Sequence, residues 1–91
     1  MKQLLQFIDG KFQQPDSNQW LDNFEPATGN VYSKVAAGNK TDVEKAVTAA
    51  QQAFPAWSDL PVNERAAYLI AIADGIKARR EEFARAESID N

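Results

Sequence analysis

A chain of 91 residues suffices for one small domain, and a domain of that size buries only about 60–70% of the surface its unfolded form exposes. Its 44% hydrophobic and 25% charged residues are ordinary for a globular chain, and its net charge of −3 argues against the basic face a nucleic-acid binder needs. With no cysteine and no histidine, disulfides, thiolate metal sites and Ser-His or Cys-His nucleophile pairs are excluded.

The first 38 residues read as strands and turns. Leu5-Gln6-Phe7-Ile8 and Lys11-Phe12-Gln13 flank Asp9-Gly10, the pair that a type I′ hairpin turn selects because both central residues need positive φ. Residues 14–19 are polar around Pro15 and predict a surface loop. A second hairpin is expected from Trp20–Phe24 and Val31–Val35, joined through Pro26-Ala27-Thr28-Gly29.

Residues 41–91 read as helices. Thr41 with Glu44 forms a capping-box pair at the start of the first. Val43, Ala46, Val47, Ala50, Ala53 and Phe54 then repeat along one face, and Pro55 predicts an end near Phe54. Pro61 suits the first position of a second helix. Its stripe runs through Val62, Ala66, Leu69, Ala73 and Ile76, meets Arg79-Arg80 and resumes at Phe83, Ala86 and Ile89. That interruption predicts a kink or break at residues 78–80 and a final stretch of two to three turns. The two long helices are expected to pack on each other and on the hairpins through Val43, Val47, Ala50, Phe54, Leu69, Ile72, Ala73 and Ile76.

Charged and aromatic residues have mostly structural readings. Lys77, Arg79, Arg80 and Arg85 are interleaved with Glu81, Glu82 and Glu87, the pattern of a solvated helix face. Trp20 and Trp57 read as packing anchors. Asn39-Lys40-Thr41 matches a glycosylation sequon, incidental without a secretory signal. Met1–Gln6 has no apolar signal core, and no apolar run approaches a membrane span. The expectation is a cytoplasmic chain with neither membrane nor nucleic acid as partner.

Six segments, in order, resemble the N-terminus of the aldehyde dehydrogenase superfamily. They are Phe7–Phe12, Glu25–Val31, Asp42-Val43 through Ala46-Val47, Ala53–Trp57, Glu64–Ala66 with Ile72–Asp74, and Glu87–Asp90. Glu25 departs from the asparagine often found there. The combination of Phe7–Phe12, Val31-Tyr32 and Phe83–Ser88 is most similar to the branch that oxidises muconic semialdehydes.

The resemblance implies that residues 1–91 are an N-terminal fragment of an α/β cofactor-binding domain. Taken alone it is an α+β piece, with two hairpins in residues 1–38 and two to three helices in residues 41–91. The parent would be an NAD- or NADP-dependent homo-oligomer that oxidises an aldehyde to a carboxylic acid, and its remainder would be this segment's partner. Family chemistry uses a cysteine nucleophile, a glutamate base and a cofactor. The chain has no cysteine, no glutamate that matches the base and no glycine-rich strand–turn–helix. The fragment is therefore expected to be scaffold, inactive and without bound cofactor. The resemblance also implies one metal site, for a monovalent cation, with the backbone carbonyl of Phe24 or its neighbour and the Asp90 carboxylate as ligands. The competing reading is a small independent helical binding or regulatory module whose apolar faces dock on a partner.

Overall fold

The computed structural model describes residues 1–91. Five strands precede three helices: β1 Lys2–Leu4, β2 Gln6–Ile8, β3 Lys11–Gln13, β4 Trp20–Glu25, β5 Asn30–Ala36, α1 Lys40–Ser58, α2 Val62–Ala78 and α3 Arg80–Asp90. The α+β class and both hairpins match the sequence reading. In β2–β3, Asp9 (φ 54°) and Gly10 (φ 74°) both take positive φ, as a I′ turn requires. The β4–β5 turn closes through Thr28 and Gly29 amides on the Glu25 carbonyl at 3.2 and 2.8 Å, with Gly29 at φ 73°.

β1 was not anticipated. It adds a parallel strand to β5 and makes a three-stranded sheet in the order β1-β5-β4, beside the separate two-stranded β2–β3. Three residues carry too little alternation to announce a strand, and the partner lies about thirty positions away.

The helix boundaries shift for local reasons. Asn39, not Thr41, caps α1: its side chain accepts the Asp42 amide at 3.1 Å, and the Asp42 carboxylate accepts the Asn39 amide at 3.0 Å. The capping box is thus Asn39/Asp42 rather than Thr41/Glu44, and Asn39 is occupied as a cap. Nor does α1 stop at Phe54; it runs to Ser58 with Pro55 inside. A proline near a helix end forfeits one amide, while its carbonyl still accepts Asp59 N–H at 3.1 Å. Pro61 is the N-cap of α2, one position before its expected place. The predicted break is present, with Arg79 at φ −115°, ψ 27° between α2 and α3.

The expected helix packing is not formed. Val43, Val47, Phe54, Leu69, Ile72 and Ile76 are all 47% exposed or more. Four residues of the chain are buried, among them Ile8, Ser33 and Asp42, and Pro15 is the fourth. Helix α1 touches the protein body at β2 and α3 touches it at β4. α2 is anchored at its start, where Arg65 Nη1 donates to the carbonyls of Ser58 (3.1 Å) and Leu60 (2.9 Å) and Tyr68 lies 5.6 Å from the Trp57 ring. Periodicity marked these faces as apolar correctly, but nothing within 91 residues covers them.

Candidate functional site

The densest polar cluster forms where α3 meets the sheet. The pairing Asn23↔Ser33 is followed by Phe24↔Val31, so Tyr32 is an extra residue on β5 and creates a bulge. A bulge disrupts the ladder and re-aims side chains. Around the Asn23 amide nitrogen stand Tyr32 Oη, Ser33 Oγ and Asp90 Oδ1, each at 3.1 Å. Ser33 is 1% exposed. An amide NH₂ has two hydrogens for these three oxygens, and the two hydroxyls can donate in turn, so the cluster is a network of oxygens around one amide. It borders a cleft of about 380 Å³ whose lining includes Lys2, Leu4, Arg85 and Ile89.

Of the two cation ligands expected from sequence, Asp90 lies at this junction. Asp90 comes from the end of α3 and bonds to Asn23, the residue before Phe24; Phe24 sits on β4 beside the bulge. Asp90 thus meets the Asn23 side chain, not a backbone carbonyl. Sequence reasoning missed Tyr32 and Ser33. The only available signal was a serine within the apolar run Val31–Val35.

Other candidates have structural roles. Glu82 pairs with Arg79 through two contacts of 2.8 and 2.6 Å, and that guanidinium holds its carboxyl below the usual range. Glu87 accepts from the Asn91 side chain at 3.2 Å. No group of three or more His, Cys, Asp or Glu forms a metal cluster. Trp57 packs on Tyr68 as an anchor.

A dinucleotide does not fit the residues present. The strand-to-helix connection that could receive a phosphate is β5 to α1. There the Asp42 amide is met by Asn39 Oδ1 and the Asn39 amide by the buried Asp42 carboxylate, whose charge would repel a phosphate. Gly10 and Gly29 serve hairpin turns.

Comparisons with known proteins agree with one another. The model described as "Aldehyde dehydrogenase family" matches residues 12–91. The Homo sapiens 2-aminomuconic semialdehyde dehydrogenase is 45% identical over 84 residues, 92% of this chain and 17% of that protein. Among solved structures, an aldehyde dehydrogenase from Burkholderia cenocepacia superimposes with a TM-score of 0.91 at 43% identity, covering 98% of this chain and 18% of the other. PnpE in complex with nicotinamide adenine dinucleotide gives a TM-score of 0.91 at 39% identity, with the same coverage. The chain thus spans under a fifth of the length of these relatives.

Proposed function

The chain belongs to the aldehyde dehydrogenase family, and from that premise we propose that it forms the N-terminal scaffold of a cofactor-binding domain in a cytoplasmic, homo-oligomeric NAD- or NADP-dependent dehydrogenase. The parent oxidises an aldehyde to a carboxylic acid; these 91 residues supply neither nucleophile nor phosphate cradle. The observation that carries this reading is a fold kept at TM-score 0.91 in a much longer dehydrogenase, while the apolar faces of α1 and α2 lie uncovered here. Those faces are what the remainder of such a domain would bury. A muconic-type semialdehyde is the substrate class we favour, supported by the 45% identity to a dehydrogenase of that name.

We also assign Asp90 and the backbone carbonyl at Phe24 as ligands of a monovalent cation, with Ser33 and Tyr32 hydroxyls as neighbouring oxygens. The three oxygens gathered at Asn23, one of them the Asp90 carboxylate, support this, since a hard cation takes oxygens.

The test is a chimera. Residues 1–91 replace the matching segment of the human 2-aminomuconic semialdehyde dehydrogenase, and NAD reduction with its aldehyde is followed. We expect a soluble, active chimera and no nucleotide reduction by the 91-residue chain alone. An inactive chimera would sink the scaffold reading, provided the relative's own segment, rejoined by the same cloning route, works. Asp90→Ala in the chimera should make activity or stability insensitive to K⁺ and Na⁺.

The independent-module reading is disfavoured by shape. The Cα radius of gyration is 16.7 Å, against about 12 Å for a compact domain of this length.

A further inference from the structure

Asp42 is the one buried carboxylate in the chain, 5% exposed on the first turn of α1. Capping explains only part of its surroundings. Besides the Asn39 amide at 3.0 Å, its two oxygens accept the Asp16 backbone N–H at 3.1 and 3.2 Å, from the loop between β3 and β4, twenty-six residues earlier. The Gln6 side-chain amide of β2 also faces this carboxylate and favours its ionised form, although its buried nitrogen makes no hydrogen bond. Pro15, next to the donating residue, is buried as well. One side chain therefore ties the start of α1 to the β3–β4 loop by part-buried hydrogen bonds and faces β2 as well. Helix α1 has little alternative attachment, because its long apolar face is exposed and its body contact is with β2, where Ile8 is buried.

We propose that Asp42 is a latch: its ionised carboxylate docks α1 on the β2–β3 hairpin and the following loop, and loss of that charge lets α1 swing away as an intact helix. The donors around Asp42 explain why charge matters. Two backbone N–H groups donate to its two oxygens, and a neutral amide in the same place keeps one accepting oxygen and turns the hydrogens of its NH₂ toward the donors at the other. The charged groups facing it are Lys45 on α1, which favours the ionised form, and Asp16 on the loop. The Asp16 carboxylate accepts from Asn39 Nδ2 at 3.1 Å, leaving it close to Asp42. β2 contributes only the uncharged Gln6.

The test exploits the absence of cysteine. Cysteines placed at exposed Lys11 on β3 and Gln52 on α1 carry spin labels in the full 91-residue chain, and pulsed dipolar spectroscopy reads their separation. The otherwise unsubstituted chain should give a narrow distribution at neutral pH. Asp42→Asn should widen it severalfold with helicity retained by circular dichroism. Asn39→Ala removes a cap but leaves the Asp16 contact, so it should fray α1 while the distribution stays narrow. Should Asp42→Asn fail to fold, acid titration of the labelled chain decides: widening before helicity falls supports the latch, and widening only together with unfolding overturns it. A broad distribution in the labelled parent at neutral pH, or an unchanged one in Asp42→Asn, also overturns it.

Discussion

At the scale of single residues, the backbone and one carboxylate make the sharpest predictions. Gly10 stands at φ +74° with open space where a Cβ would lie. Gly10→Ala therefore meets a conformational cost rather than a clash, about 1 kcal/mol. Asp9→Asn should be neutral or slightly stabilising, because asparagine is well suited to the first turn position. Hydrogen-exchange protection of the β2–β3 amides reads both. Asp42 predicts a pH dependence whose sign follows from its donors. The Asn39 amide foremost, then Gln6, Asp16 and Lys45, hold its folded value below the ordinary 3.8, against the opposing effect of burial. A carboxylate lowered on folding contributes stability that is complete above the unfolded value and is lost as pH falls through the folded one. The loss should thus begin near pH 3.8 and continue below it. Asp42→Asn should abolish that part of the acid transition. An unchanged acid limb in the variant contradicts the assignment. The Asp9-Gly10 turn was legible in sequence because two adjacent residue types announce it. Asp42 as a buried hub was not, since its second donor lies twenty-six positions away.

At the scale of elements, a helix is held here by its ends rather than its face. α1 is fixed by Asp42, α3 by Asp90 on Asn23, and α2 by Arg65 on the carbonyls of Ser58 and Leu60. Periodicity revealed which residues are apolar but not whether anything covers them. The packing expected of Leu69 rested on that gap: the residue is 63% exposed. Leu69→Ala should accordingly cost under about 0.5 kcal/mol in the 91-residue chain, but about 2–4 kcal/mol in the active chimera if the scaffold reading is right. Equal costs in the two contexts would contradict it. Arg65→Ala should be the more damaging change in the isolated chain, about 1–2 kcal/mol, because two carbonyls at a helix end lose a charged donor. Urea titration with helicity as readout separates the two substitutions. The capping box shows a different limit of sequence. Thr41/Glu44 and Asn39/Asp42 both have the required spacing, and the choice fell to the pair whose acid also reaches the loop at Asp16.

At the scale of the whole molecule, surface area decides how the chain behaves alone. Its accessible surface is 7358 Å², whereas a folded monomer of 10.1 kDa should expose about 5300 Å². The excess, about 2000 Å², is more than the roughly 800 Å² that each partner contributes to a stable protein–protein interface. Much of it is apolar: Val43, Val47 and Phe54 on α1, Leu69, Ile72 and Ile76 on α2, and the Phe7–Phe12 pair, whose rings lie 5.0 Å apart on β2–β3. Contiguous apolar surface beyond a few hundred Å² tends to find a partner, and both edges of the two-stranded sheet are unpaired. Repulsion is small, because the net charge is only −3. The 91-residue chain should therefore associate with itself and unfold over a broad range of temperature. Sedimentation velocity over a wide concentration series should show the weight-average coefficient rising with concentration. Phe7→Ser combined with Leu69→Ser should shift the series back toward monomer without loss of helicity, since both side chains face water in the monomer. A single concentration-independent monomer with a sharp, cooperative melt would mean that the exposed faces do not seek cover, and would return the chain to the class of independent modules.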